Sequence, residues 1–373
     1  MRQSLTASLT DSEMTAQQTE TPAALDYHMP AEWEPHEATW IAWPHNPQDW
    51  PGKFQGIQWT YVDIVRHLSK HERVHILVND QSAEAKAQLT LDRSNVRLDS
   101  IHFHKWVTDR VWTRDSGPIF VKRDDATEQI AVLNWQFNAW AKYSNWQNDD
   151  ALPGLVAAQL RMKMWEPSIE INGNRRRIVL EGGSIDVNGR GTMLTTEECL
   201  LSDVQQRNPG VSREQLERVF ADFLNVKKVI WLKRGIAGDD THGHVDDIAR
   251  FVAPDKIVAA VESNHSDDNY EPLQENLRHL KQSTDQDGRP LEIIELPMPA
   301  PVVFRNQRLP GSYANFYIAN SVVLVPTFND PNDRDALNVL AELFPAREIV
   351  GIHCGDFIWG LGAIHCMTQQ QPK

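Results

Sequence analysis

The chain has 373 residues, 41% of them hydrophobic and 24% charged, which is the composition of a globular protein with a large buried core rather than a disordered one. A formal net charge of −14 argues against nucleic acid as a partner and mildly favours cationic ligands. Cys199, Cys354 and Cys366 fit neither a disulfide framework nor a closed zinc site, and no apolar run approaches the length of a membrane span.

Residues 1–26 are rich in Ser, Thr and Gln and lack the apolar segment of a signal peptide, so a disordered leader is expected there. A single catalytic domain is expected over 27–373, with free thiols in a reducing cytoplasm. Within it one grammar recurs, an amphipathic helix followed by a β-branched strand. It reads first at 61–69 with 74–78, and a weaker helix lies at 155–164. Leu216, Val219, Phe220, Phe223 and Leu224 then share one helical face behind a capping box formed by Ser212 and Gln215, with a strand at 229–232. The pattern returns at 273–280 with 291–295, and at 336–344 with 348–352, the latter preceded by a strand-like run at 321–325.

Four polar motifs lie among these units. In Trp112-Thr-Arg-Asp-Ser-Gly-Pro118, Asp115 either caps its own turn or presents a rigid carboxylate beside an indole, a combination suited to a flat cation. Glu181-Gly-Gly183 sits between two strand-like runs, 177–180 and 184–187; the glycines suit a hairpin turn or a close backbone approach to a ligand. In Gly238-Asp-Asp-Thr-His-Gly-His-Val-Asp-Asp247, an extended 244–246 segment would turn His244 and Asp246 the same way and Val245 into the core. That pair suits acid–base chemistry beside a cation-binding carboxylate, while Asp239, Asp240, His242, His244, Asp246 and Asp247 also offer ligands to a metal. Last, Gly360-Leu-Gly-Ala-Ile-His-Cys366 brings a cysteine onto a tight, glycine-rich turn where its sulfur can be exposed to backbone N–H groups. Cys354 also follows Ile-His but closes a strand-like run, and is expected to be structural.

Asp115, Glu181, His244 and Cys366 are separated by 66, 63 and 122 residues, the last nearly twice a period in the low sixties. Such a period suggests a cyclic repeat with one polar motif per unit facing a shared centre, although alternating helices and strands in a plain α/β sheet give similar spacings.

Together these motifs resemble the agmatine deiminase and bacterial peptidylarginine deiminase branch of the guanidine-modifying pentein superfamily. The resemblance runs from Met29-Pro-Ala-Glu-Trp-Glu-Pro-His36 to the terminal Cys366-Met-Thr-Gln-Gln-Gln-Pro372. It implies an α/β propeller of five pseudo-symmetric ββαβ-type repeats around a central site. It further implies Cys366 as nucleophile, His244 as general acid and base, and Asp115 and Asp246 as the carboxylates gripping the guanidinium. Glu181 becomes the acidic partner of histidine and substrate, Trp112 a wall of the channel and Asp240 a further substrate contact. Many agmatine deiminases read Gly-Gly-Gly-Asn before Ile-His-Cys; Leu361 and Ala363 depart from that here. The reaction implied is hydrolysis of a small guanidinium, agmatine first, to N-carbamoylputrescine and ammonia through an amidino-cysteine, with no metal and no cofactor. This is a step of putrescine and polyamine biosynthesis. A peptidylarginine or free-arginine deiminase is the alternative within this chemistry, and a metal-dependent amidohydrolase built on 239–247 the alternative outside it. No membrane contact is expected, and a homodimer is the assembly to test.

Overall fold

The computed structural model describes residues 20–124, 129–171 and 173–373. Five small sheets carry most of the strands, and each repeats one connection: a strand, an antiparallel neighbour, then a parallel third strand reached across a helix. The first three are Ile119–Lys122, Ile130–Leu133 and Lys163–Trp165; Asp186–Val187, Thr192–Thr196 and Lys228–Leu232; and Ala249–Ala253, Lys256–Val261 and Glu292–Pro297. A fourth joins Tyr317–Ile318, Val322–Thr327 and Glu348–His353. The fifth joins both ends of the described chain: Gln369–Pro372 lies antiparallel to His36–Ala42, which is followed in parallel by Arg73–Val78 and Ile101–Lys105. Among the described residues these sheets stay separate and form no closed barrel.

Local sequence explains the crossovers. Helix Arg213–Leu224 begins at the expected capping box, Ser212 accepting from Gln215 N–H while the Gln215 side chain returns to Ser212 N–H, and ends where Asn225 turns left-handed. Its face of Leu216, Val219, Phe220 and Leu224 is buried with Met193 and Cys199, each large apolar side chain contributing about 1.5–3 kcal/mol. The helix expected at 61–69 starts earlier, as Phe54–Leu68, and that at 155–164 is Leu152–Leu160. Arg161, at φ +55°, stops the latter so that Lys163–Trp165 can extend as a strand. Helices Tyr270–Lys281 and Asn332–Leu343 fall where the apolar spacing puts them. Helix Gln81–Arg93 and the strand after it have no counterpart in that reading; only Ala87 and Leu91 of the helix are buried, too sparse a stripe to stand out.

Of the stretch expected as a leader, residues 1–19 lie outside the described residues, while Ala23–Leu25 form a 3-10 turn with Leu25 packed against the Phe220 cluster. No described helix is long and apolar enough to cross a membrane.

Candidate active site

Two loops from opposite ends of the sequence are bonded together at the site. Arg114 N–H donates to Cys366 O at 3.1 Å, and the Thr113 hydroxyl donates to Met367 O at 2.7 Å, so the one-turn helix Thr113–Ser116 is locked to the segment carrying the thiol. Asp115 projects from that turn and is buried. Its Oδ2 accepts from Trp140 Nε1 at 2.9 Å and its Oδ1 from Gly183 N–H at 3.1 Å. Burial pushes its carboxyl up to about 6; His244 opposes this, and the charges of Asp246 and Glu181 reinforce it.

Glu181 does not sit in a hairpin between two strands. It precedes a 3-10 turn, Gly182–Ser184, that brings backbone against the acidic cluster. A Cβ on Gly183 would stand 2.6 Å from His244 Nδ1 and 2.7 Å from Asp115 Oδ1, so the close approach the glycines permit is to the protein's own side chains. Fully buried Glu181 accepts from Arg207 Nε at 2.9 Å. Burial alone would raise its carboxyl, but Arg207 and His244 outweigh burial and hold it down at about 2.

The segment around His244 also departs from expectation. Only His244 is extended; Val245–Asp247 form a 3-10 turn. Val245 is still buried in the core, and both polar side chains still reach the centre. His244 Nδ1 lies 3.7 Å from Asp115 and 4.0 Å from Asp246, and Nε2 lies 3.9 Å from Glu181. The ring thus stands within ion-pair reach of three carboxylates and is hydrogen-bonded to none. Burial lowers its basicity, but Asp115 foremost, with Cys199 and Glu181, raises it well above the usual imidazole value.

Cys366 is buried, its sulfur 3.8 Å from Asp246 Oδ2. Burial pushes the thiol up, and the charges of Asp246, Asp247 and Asp115 push it further; a hydrogen bond from the Ala363 backbone works the other way. Three supports escape sequence reasoning. Asn315 Nδ2 donates to the sulfur, Arg207 fixes Glu181, and His365 bridges Asp246 and Glu32, with 2.7 Å at each ring nitrogen. His365 and Glu32 did lie inside the quoted motifs; adjacency to them was the available signal.

A cavity of about 320 Å³ leads to this centre, with Cys366 and Asp115 in its lining, Trp112 and Trp140 as walls and Asp240 near its mouth. Both Asp240 oxygens are engaged, one by Lys142 Nζ and one by Tyr143 Oη at 2.7 Å. Leu361, at φ +69°, occupies a left-handed position that favours glycine, and packs with Ala363 in an apolar cluster beside the turn. A Cβ on Gly362 would meet the Trp112 ring at 2.8 Å, so this glycine lets the indole lie against the turn that carries Cys366.

The six residues weighed as metal ligands do not converge. Asp239 caps backbone N–H groups of Thr241, Gly243 and His244, Asp240 holds Lys142 and Tyr143, and Asp247 accepts from Asn315. The one described trio with ligand spacing is Glu181, Cys199 and His244, whose donor atoms lie within 4.8 Å of one another, and there Glu181 is already the partner of Arg207. Chemically the arrangement is a thiol, an imidazole and three carboxylates around one small volume.

Residues 28–372 match the family described as Porphyromonas-type peptidyl-arginine deiminase. The chain belongs to that family. Members similar to it include the agmatine deiminase of Pseudomonas aeruginosa strain LESB58, 36% identical across 95% of this chain and 98% of the relative. Among solved structures, the agmatine deiminase of Enterococcus faecalis superposes with a TM-score of 0.85 at 32% identity, covering 95% of this chain and 98% of that one. A cysteine-to-serine variant of C. jejuni agmatine deiminase with substrate bound superposes at 0.80 and 28% identity, covering 93% and 96%. An amidinotransferase from Microseira wollei, 11% identical with a TM-score of 0.51, shares the fold alone. As a peptidyl-arginine deiminase family member, the chain has the α/β pentein fold and is a hydrolase acting on a guanidino C–N bond.

Proposed function

We propose that this chain hydrolyses agmatine to N-carbamoylputrescine and ammonia through a covalent amidino-cysteine. One observation carries the reading: beside Cys366, the buried atoms His244 Nδ1 and Nε2, Glu181 Oε2 and Asp246 Oδ1 all lack a hydrogen-bond partner among the described residues. Orphaned polar atoms at such density cost free energy, and a planar guanidinium with N–H donors along its edges supplies what the two carboxylate oxygens, Glu181 Oε2 and Asp246 Oδ1, need.

The cation would lie between Asp115 and Asp246, oriented by their oxygens, with its central carbon over the sulfur. In the empty site the surrounding acids disfavour thiolate; the arriving positive charge offsets them, and the thiol proton leaves toward Asp246, 3.8 Å away. Cys366 sulfur attacks the carbon. Protonated His244 gives its proton to the departing nitrogen, ammonia leaves, and an S-alkylthiouronium remains. Neutral His244 then takes one proton from water as its oxygen bonds to carbon; the C–S bond breaks, the remaining O–H proton returns to the leaving sulfur, the ureido product forms, and Asp246 releases the first thiol proton to solvent. Glu181, fixed by Arg207, holds the imidazole in place and keeps it charged between turnovers.

The test is a ureido-product assay on agmatine, free arginine and an arginine-containing peptide. Agmatine is expected to turn over best, Cys366→Ala to be inactive, and His244→Ala to accumulate or slow the adduct. Turnover of the peptide alone overturns the substrate; full activity of Cys366→Ala overturns the chemistry.

The recurring sheet connection supports a finer reading, five pseudo-symmetric ββαβ-type units around the site in one catalytic domain over 27–373; the net charge of −14 supports a protein that binds no nucleic acid, and a cytoplasmic homodimer is the assembly to test. Asp115, Glu181, His244–Asp246 and Cys366 would each be the inward loop of a unit. Scattering measurements of mass and shape test the assembly, and an experimental map tests the symmetry.

A further inference from the structure

Resting on that deiminase reading, we infer that Asp49 is the specificity-determining residue that receives the far ammonium of the substrate, and so sets the length of carbon chain accepted. Agmatine carries a second positive charge at the end remote from the reacting carbon, and the cavity lining offers three carboxylates to meet it. Asp115 belongs to the inner end and is bound by Trp140 and Gly183. Asp240 is spent on Lys142 and Tyr143. Asp49 is not spent: its Oδ1 accepts one bond from Asn46 Nδ2 at 3.0 Å, and its Oδ2 is shielded from water with no partner among the described residues.

An unpartnered, shielded carboxylate oxygen on a residue lining the cavity calls for a cationic donor with several hydrogens, which an ammonium is. Arg110 also faces this mouth and, with His45, partly offsets the burial that pushes Asp49 up to about 6. It does not fill the role, because its guanidinium bonds Asn145 twice and stacks 4.3 Å over the Tyr143 ring.

The test compares kcat/KM for agmatine with that for 1-butylguanidine, which has the same chain and no ammonium. In Asp49→Asn the ratio of the two is expected to fall about tenfold or more, the range for removing one partner of a partly buried charge-assisted bond. In Asp49→Glu the longer side chain is expected to move the preference from agmatine toward 3-aminopropylguanidine, a readout that a merely unstable protein would not give. A ratio within about twofold of the wild type in Asp49→Asn overturns the assignment, as does a ratio that collapses in Asp240→Asn instead. Failure of the wild type to turn over either guanidine would sink the deiminase reading rather than this refinement of it.

Discussion

Asn315 donates from Nδ2 to the sulfur of Cys366 across 3.2 Å while its Oδ1 accepts from the backbone N–H of His365 at 3.0 Å. One carboxamide therefore fixes both the position of the proposed nucleophile and the electron density on it. Removing it in Asn315→Ala should lower kcat by about tenfold to a hundredfold, the value of a hydrogen bond to a charged group. The pH midpoint for alkylation of Cys366 by iodoacetamide should move upward, since a donor to sulfur favours thiolate. An unmoved midpoint contradicts the role.

Arg207 and Glu181 form a fully buried pair. Arg207→Gln leaves a buried carboxylate unpaired and should destabilise the fold by about 3–5 kcal/mol at neutral pH, read as a fall in Tm. Glu181 is held near 2, below its ordinary 4.5. The pair's contribution is thus present above the ordinary value and lost as pH falls toward 2. The Tm deficit of the variant should accordingly narrow as the pH is lowered through that window, and a constant deficit counts against the pairing.

The activity profile should have an acid limb. Asp115 has its carboxyl raised to about 6, so it gains a proton, and loses its grip on the cation, as the pH falls through that value. kcat/KM for 1-butylguanidine should decline below about pH 6, approaching tenfold per unit. This guanidine isolates the inner end of the cavity from Asp49, so a flat profile down to about pH 5 excludes Asp115 as the gripping carboxylate.

Gly362 is a packing requirement rather than a flexible hinge. A methyl group there would stand 2.8 Å from the Trp112 ring and 3.1 Å from Cys366 Cβ. Gly362→Ala should cost about a hundredfold or more in kcat/KM while changing Tm by only a few degrees, because Trp112 and Cys366, though buried, border a cavity into which they can shift.

Cys354 is fully buried and its thiol is pushed up by burial, so it is inert. Cys354→Ala should retain kcat within about twofold and lose only a little stability, measured by the same assay and a melting curve.

Much of the site was readable because its reacting groups sit in motifs with a local mechanical reason: glycines before Cys366, paired glycines after Glu181, alternating polar residues at 239–247. The helices were readable where apolar spacing was dense, as at 213–224, and missed where it was thin, as at 81–93. Asn315, Arg207 and Asp49 had no such signal. Arg207 and Asp49 lie in polar stretches whose sequence would suit a solvent-facing turn equally well, Asn315 lies in a buried aromatic-rich one that reads as core, and Asn315 and Arg207 matter through partners 51 and 26 residues away. The misread backbone at 181–187 and 244–247 has a related cause: turns of three residues, 182–184 and 245–247, are too short to leave a periodicity in the sequence.

The strand Gln369–Pro372 joins the sheet by pairing with His36–Ala42, more than three hundred residues upstream. Cys366 lies just before it, so besides Arg114 and Asn315 its position depends on a pairing of very large sequence separation, the kind that closes slowly. A partly assembled polypeptide would carry an ordinary thiol without its catalytic partners. In renaturation experiments, catalytic recovery should therefore lag behind the return of helical signal and keep time with docking of the final strand.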